Sequence, residues 1–316
     1  MAELREIGTT GMKTPRLVLG GNVFDWTARG EEAFRILDRF ADAGGRMIDT
    51  ADVYSAWVPG HRGGESESLI GEWLRRRGGQ GDMLVATKVG MLAGEGGKKL
   101  EPARIAAAAE ASLRRLGVER IDLYYAHQDD KATPLADSLA AFDRLVRDGK
   151  VRAIGASNYS AERLDEALAI SAREGLVRYE ALQNEYHLMD RAGFEGPLQR
   201  LCVERDIAAL PYYGLASGFL TGKYRSEADQ GRSVRGDRMG KYLNAKGFAV
   251  LAALDEVAAE TRSSPAEVAL AWLAAQPAVA APIASARTPD QLETLIGAMT
   301  LELDAGQLER LGAASA

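Results

Sequence analysis

Cysteine is almost missing from this chain: Cys202 is the only one in 316 residues, so no disulfide can form within it. A basic excess is missing as well. The 39 Lys and Arg face 45 Asp and Glu for a formal net charge of -6. The one dense basic run, Arg75-Arg76-Arg77, closes a predicted helix, where cations suit the dipole. Nucleic acid is therefore not an expected partner. Long apolar runs are also absent. The richest, 268–281, is interrupted by Gln276 and Pro277 and falls short of the roughly 20 residues that span a bilayer. The start, Met1-Ala2-Glu3-Leu4-Arg5-Glu6-Ile7, lacks the apolar core of a secretory signal, so no membrane span is expected and the cytoplasm is the expected location. The histidines His61, His127 and His187 show neither i, i+4 nor cysteine-paired spacing, so no metal is expected.

What is present is the composition of a globular chain able to bury a sizeable core, 46% hydrophobic and 27% charged, which sets disorder aside. After a hairpin-like start, 4–7 and 16–19 around Gly8-Thr9-Thr10-Gly11, short β-type runs alternate with longer helical patterns. Strands are expected at 17–20, 47–49, 84–88, 123–127, 153–157, 181–185, 207–212 and 279–283. Helices are expected at 31–43, 67–77, 102–116, 135–148, 161–174, 197–205, 266–276 and 289–298, with Pro102, Pro265 and Pro289 near helix starts, where a missing N–H costs little. Such alternation builds either a closed barrel or an open doubly wound sheet. Gly20-Gly21-Asn22-Val23-Phe24-Asp25 does not supply the G-x-G-x-x-G that a dinucleotide-binding open sheet carries after its first strand, so the pattern is read as a (β/α)8 barrel, one domain over 1–316. Between Gly214 and Lys246 a long loop carries Arg225, Arg232, Arg235, Arg238 and Lys241, read as a solvated charged loop.

A parallel barrel keeps its chemistry at the C-terminal ends of its strands. Asp49, Lys88 and His127 each close an apolar run, and Tyr54 follows Asp49 on the next loop. Singly, each has a structural explanation: a turn cap, a lysine reaching for water, a rim histidine, a packed ring. Together they make a proton-transfer set. An ammonium beside a phenol lowers its ordinary pKa of about 10 by stabilising the phenolate. On that reading Asp49 holds Lys88, His127 orients the substrate oxygen, and Tyr54 is the general acid in reduction and the general base in oxidation.

At these residues the sequence resembles the aldo-keto reductases, whose Asp, Tyr, Lys and His tetrad falls on Asp49, Tyr54, Lys88 and His127. Ile48-Asp49-Thr50-Ala51-Asp52-Val53-Tyr54-Ser55 and Ala86-Thr87-Lys88 carry the match. The opening hairpin and Gln183-Asn184-Glu185-Tyr186-His187-Leu188 extend it nearly end to end. The resemblance implies a barrel capped by an N-terminal hairpin, an extra C-terminal helix, and NADP(H), rather than NAD(H), laid over the barrel mouth to pass a hydride to an aldehyde or ketone. It assigns Gly21 and Asn22 to the cofactor, and Ser157, Asn158 and Gln183 to the nicotinamide carboxamide, a task amides and hydroxyls can perform. Tyr212 is the ring that stacks on nicotinamide. Leu215, Ser217, Gly218 and Lys223 belong to the pyrophosphate loop. That loop is not a P-loop, because three residues rather than four precede Gly222-Lys223 and Tyr224 follows. Ser285, Arg287 and Gln291 fall at the adenosine end, with Arg287 facing a 2′-phosphate.

The chain also departs from the family pattern. Tyr213 and Gly214 replace the usual Ser and Pro, Ser285 stands where Lys or Gly is common, and Leu295 where Asn often contacts adenine. Phe24 and Trp57 are the first candidates for the substrate pocket, ahead of Trp26 and Tyr125, with packing as the competing role for each. Arg62 is read as a solvated charge or as a contact for an anionic or polyol substrate, and Asp130 as structural. Two other readings stay open: a cofactor-sensing binding protein like the potassium-channel beta subunits, which resemble this family in fold, and a metal-dependent barrel hydrolase built on Asp49, Lys88 and the histidines.

Overall fold

The first element is a hairpin that pairs β1 (Arg5–Glu6) antiparallel with β2 (Lys13–Thr14). The structure, a computed structural model, describes residues 3–226, 228–229 and 236–316; Arg232, Arg235 and the side chain of Arg238 lie outside that set. The second hairpin arm was expected at 16–19. It comes earlier because the turn closes at once, Ile7 N donating to Met12 O at 2.9 Å, which leaves the following apolar residues free to start the barrel.

The barrel strands are β3 (Val18–Gly20), β4 (Met47–Asp49), β5 (Leu84–Val89), β6 (Ile121–Ala126), β7 (Val151–Ser157), β8 (Tyr179–Gln183), β9 (Ala208–Ala209) and β10 (Ile283–Ala284). They form one parallel sheet in the order β10-β3-β4-β5-β6-β7-β8-β9. The sheet closes on itself. Ala209 bridges Val279, Ala280 N donates to Ala209 O at 2.9 Å, and Val18 N donates to Pro282 O at 3.0 Å. The run expected as one strand, 279–283, is thus shared: its start pairs with β9 and its end with β3. Pro282, with no N–H, marks the handover.

Around the strands run α1 (Gly30–Asp42), α2 (Glu65–Arg76), α3 (Pro102–Leu116), α4 (Leu135–Arg147), α5 (Ala161–Glu174), α6 (Pro197–Glu204), α7 (Ala245–Thr261), α8 (Pro265–Ala274), α9 (Pro289–Ala298) and α10 (Ala305–Ala314). This is the expected (β/α)8 barrel with its hairpin and extra C-terminal helix. Helix α7 was not expected. It is so rich in alanine that no apolar face stands out, and its Phe248 points to solvent. Its start is nonetheless built in the ordinary way, the Asn244 side chain accepting from Gly247 N at 3.0 Å.

The barrel interior is filled from the strands' inward faces by Val18, Met47, Ala86, Leu123, Tyr125, Ala153, Ala181 and Ile283, and Ile7 and Met12 of the hairpin plug one end. Alanines at 86, 153 and 181 alternate with larger side chains, of which Tyr125 is the bulkiest. A Cβ on Gly155 would stand 2.5 Å from the Tyr125 ring, so glycine is required there by close approach. With the N-terminal end plugged, the C-terminal ends of the strands are left to form a cleft.

Candidate active site

That cleft, about 670 Å³, lies over the C-terminal ends of the strands. Lys88 sits at its floor, fully buried on β5, and its Nζ donates to Asp49 Oδ2 at 2.6 Å, Thr50 O at 2.7 Å and Tyr54 Oη at 2.8 Å. Three acceptors around three N–H groups is the coordination of an ammonium. Burial pulls Lys88 below its ordinary value, and Asp49 pulls it back up. Asp49 is itself held on both oxygens, since Gln183 Nε2 donates to Oδ1 at 2.8 Å.

The lysine was expected to lower the Tyr54 phenol. In the structure burial outweighs it, and Asp49 adds to burial, so the phenol stands well above its ordinary value. The ammonium is local to the strand-end residues, whereas the wall around the ring forms only in the assembled barrel. Because Tyr54 Oη accepts from Lys88, its own proton points away from Nζ, either to Asp49 Oδ2 at a long 3.4 Å or into the cleft. His127 stands beside it with ring centroids 6.0 Å apart. Burial first, and Lys88 second, hold its imidazole well below the ordinary value, so it is neutral, and its Nδ1 is buried without a partner.

Along the cleft, β7 ends at Ser157, whose Oγ donates to Gln183 O at 2.7 Å. Asn158 takes a left-handed turn (φ 60) that lets its side chain bridge three groups. Nδ2 donates to His127 O at 3.0 Å and to Ser157 Oγ at 3.1 Å, while Oδ1 accepts from Tyr212 Oη at 2.8 Å. Beyond Tyr212 the backbone turns through positive φ at Tyr213, Ala216, Ser217 and Gly218. Leu215, Ser217, Gly218 and Lys223 line the cleft there, and Ser285, Arg287 and Gln291 line its far end at the start of α9. Ser285 Oγ donates to Asn22 Oδ1 at 2.7 Å, and Gln291 Oε1 accepts from Arg287 N at 3.0 Å. Leu295 lines the same end as an apolar wall.

Amides and hydroxyls thus line the groove beside the tetrad, and among the described residues Lys223 and Arg287 bring positive charge to its lining away from it. A sequence family described as the aldo/keto reductase family matches residues 16–316 of this barrel. The chain belongs to the aldo/keto reductases. It is 33% identical to an uncharacterized oxidoreductase, YrpG, of Bacillus subtilis over 96% of this chain and 92% of that one. It is 32% identical to the aldo-keto reductase str7 of Strobilurus tenacellus, over 94% of this chain and 85% of that one. With the aldo-keto reductase yakc of Schizosaccharomyces pombe, whose name specifies NADP(+), identity is 31% over 85% of this chain and 78% of that one. Membership of the family makes the chain an oxidoreductase of the kind that uses a nicotinamide cofactor on small carbonyl compounds. No helix among the described residues is long and apolar enough to cross a membrane.

Of the residues expected at an aldo-keto reductase site, Asp49, Tyr54, His127, Asn22, Ser157, Asn158, Gln183, Tyr212, Leu215, Ser217, Gly218, Lys223, Ser285, Arg287, Gln291 and Trp57 line this one cleft, with Lys88 beneath. Two do not. Phe24 is fully buried in the core beside α1 and α2, and the neighbouring Trp26 takes the mouth position instead. Gly21 is walled off by Asp49 O and Ser66 Oγ, each 3.0 Å from where its Cβ would be. Arg62 is exposed and does not line the cleft. Asp130 is structural, as expected, accepting from Ala132 N at 3.0 Å and Thr133 Oγ1 at 2.7 Å. Sequence reasoning missed Val53 and Met91 on the acceptor side. Met91 stands two residues past Val89, the C-terminal end of β5, so a search of the residues just beyond the strand ends would have found it.

Proposed function

We propose that this aldo-keto reductase reduces an uncharged aldehyde or ketone to an alcohol with NADPH, Tyr54 delivering the proton. The observation that carries the reading is the saturation of Lys88: with its three N–H groups spent on Asp49, Thr50 and Tyr54, the phenol oxygen is pinned and its proton is free to face a carbonyl in the cleft. A phenol held above its ordinary value carries its proton at neutral pH, and the Lys88 ammonium at its oxygen stabilises the phenolate left when that proton is given to the carbonyl oxygen. His127, neutral and adjacent, donates a hydrogen bond to the same oxygen without bringing a charge.

The cleft's donor set fits a nicotinamide dinucleotide. Asn158, Ser157 and Gln183 would hold a carboxamide, the Tyr212 ring would back a nicotinamide, and Lys223 and Arg287 would meet phosphate groups. A carboxamide bound there would replace the Tyr212–Asn158 bond, since Asn158 Oδ1 is the acceptor that its N–H would take. Bound there, NADPH supplies the hydride. The protein supplies position and the proton. On the acceptor side Val23, Trp26, Val53, Trp57 and Met91 form an apolar wall, and Trp57 packs edge-on to Trp26 at 5.6 Å. Among the described residues, no cation lines the acceptor side beside Val23, Trp26, Val53, Trp57 and Met91, and Lys88 is committed beneath it, which supports a neutral substrate. A cytoplasmic setting belongs to the same proposal.

Fluorescence titration with NADPH and NADH, followed by nicotinamide absorbance with a panel of neutral and anionic carbonyls, tests it. NADPH binding with turnover of neutral carbonyls is the expected result, and Arg287→Ala is expected to weaken NADPH roughly ten-fold while leaving NADH unchanged. Equal loss for both nucleotides overturns the 2′-phosphate assignment. Binding without turnover favours a cofactor-sensing protein, and no binding of either nucleotide overturns the proposal.

A further inference from the structure

Behind the strand that carries Lys88 lies a second layer of charge with no task in the mechanism above. Successive residues of a strand face opposite sides, so Thr87 points outward where Lys88 points in. Thr87 Oγ1 donates to Glu67 Oε1 at 2.6 Å, and Arg115 Nε donates to Glu67 Oε2 at 2.6 Å. Asp52, two residues before Tyr54, is fully buried, and its backbone N–H donates to Lys88 O at 3.3 Å. Its Oδ2 accepts from Arg104 Nη2 at 3.0 Å. The other oxygen, Oδ1, is buried without a partner, as is Tyr124 Oη on β6.

Arg104 does more than pair with Asp52. Its Nε donates to Leu92 O at 3.0 Å and its Nη1 to Glu95 O at 3.3 Å, so one guanidinium joins the turn that carries Tyr54 to the loop that carries Met91. Filling this space with apolar side chains would cost less than burying two carboxylates, one of them half satisfied. The expense falls directly under the acid and its cation, which is where positional accuracy matters most to turnover.

We propose that Asp52 is a positioning residue for carbonyl reduction: through Arg104 it fixes the turn that presents Tyr54, and its charge state sets how firmly that turn is held against Lys88. This rests on the function proposed above. The charged and titratable groups facing Asp52 are Glu67 from α2, Arg104 and Arg115 from α3, Lys88 from β5 and Tyr124 from β6. Burial first, and Glu67 second, push the Asp52 carboxyl up to about 7 against the pull of Arg104 and Arg115. An acid raised in this way is neutral below that pH and charged above it. The Arg104 tie is therefore strong on the alkaline side and weak on the acid side.

Asp52→Asn freezes the neutral form at nearly constant shape. With NADPH and benzaldehyde as the probe substrate, kcat and KM of wild type and D52N are compared from acid to alkaline pH, and NADPH fluorescence titration reports whether each variant is folded and loaded. The ratio of wild-type to D52N kcat is expected to stay near unity well below neutrality. It is expected to climb as the pH passes about 7, to roughly ten- to a hundred-fold, with KM moving less. An unchanged D52N profile, or the same loss at every pH, overturns the inference, because a merely structural pair gives one or the other. Should D52N not fold, Arg104→Gln removes the guanidinium from the carboxylate and is expected to move the limb near pH 7 to higher pH; a limb that stays in place overturns it too. Wild-type protein that turns over no carbonyl overturns the functional reading itself, a different result from a wild type and D52N that work with identical profiles.

Discussion

The two ends of the barrel are made by the same strands and treat charge in opposite ways. At the floor of the C-terminal mouth charged groups are buried and bonded to one another: Lys88 is saturated and Asp49 is held on both oxygens. At the N-terminal end, under the hairpin, lies a second depression of about 890 Å³, comparable in size to the mouth cleft. Its rim charges Lys13, Arg46, Asp82, Glu119, Arg120 and Arg152 are all exposed. Its buried carboxylate, Asp122, is occupied in structure, accepting from Val85 N at 2.9 Å and from Gln80 Nε2. Volume therefore does not mark the site. Desolvated groups that shift one another's proton affinities around an open cleft do.

The strongest way to break this comparison is to remove one atom at the mouth. Tyr54→Phe keeps the ring against Trp57 and His127 and deletes the oxygen that accepts the third Lys88 N–H. Loss of a general acid lowers kcat roughly a hundred- to ten-thousand-fold. The orphaned N–H costs about 1–3 kcal/mol of stability. Stopped-flow hydride transfer and a urea transition measure the two, and NADPH affinity is expected to stay within about two-fold of wild type. A variant with wild-type kcat would show that the proton comes from elsewhere.

The mouth also carries a pH-dependent cost in stability. His127 is held neutral in the folded protein well below its ordinary value, whereas the unfolded chain takes up a proton below about pH 6.5. Below that pH the unfolded state binds more protons, so stability present above it is lost as pH falls, at up to about 1.4 kcal/mol per pH unit. Comparison with His127→Asn isolates this one group from the other titrating residues. The difference between the two urea-derived stabilities is expected to shrink steadily below about pH 6.5. A pH-independent difference would place a charged imidazole in the folded cleft.

Much of this arrangement was legible in the sequence because strand ends are local features. Asp49, Lys88 and His127 stop apolar runs, and where a run stops is visible without knowing what it packs on. The misses share a different origin. Phe24 and Trp26 are two residues apart on one irregular loop, and which of them turns inward is decided by the α1–α2 core, not by any period. The last strand was misplaced because a closed barrel lets one segment pair in turn with two partners. Helix α7 was missed because alanine on every face leaves no stripe. The upward shift of Tyr54 could not be read at all, since burial is a property of the assembled wall.

The smallest predicted effect lies at the other end. Arg120 rims the second depression, is exposed, and makes no ion pair among the described residues. An exposed charge without a short partner contributes little, because water screens it as well as a carboxylate would. Arg120→Ala is thus expected to change stability by no more than about 0.5 kcal/mol, with kcat, KM and NADPH affinity unaltered. The hairpin residues Ile7 and Met12 plug the barrel between this depression and the cleft with apolar side chains. A change in kcat on losing Arg120 would mean that the plug transmits charge or motion, and that the two ends are not as separate as their chemistry makes them.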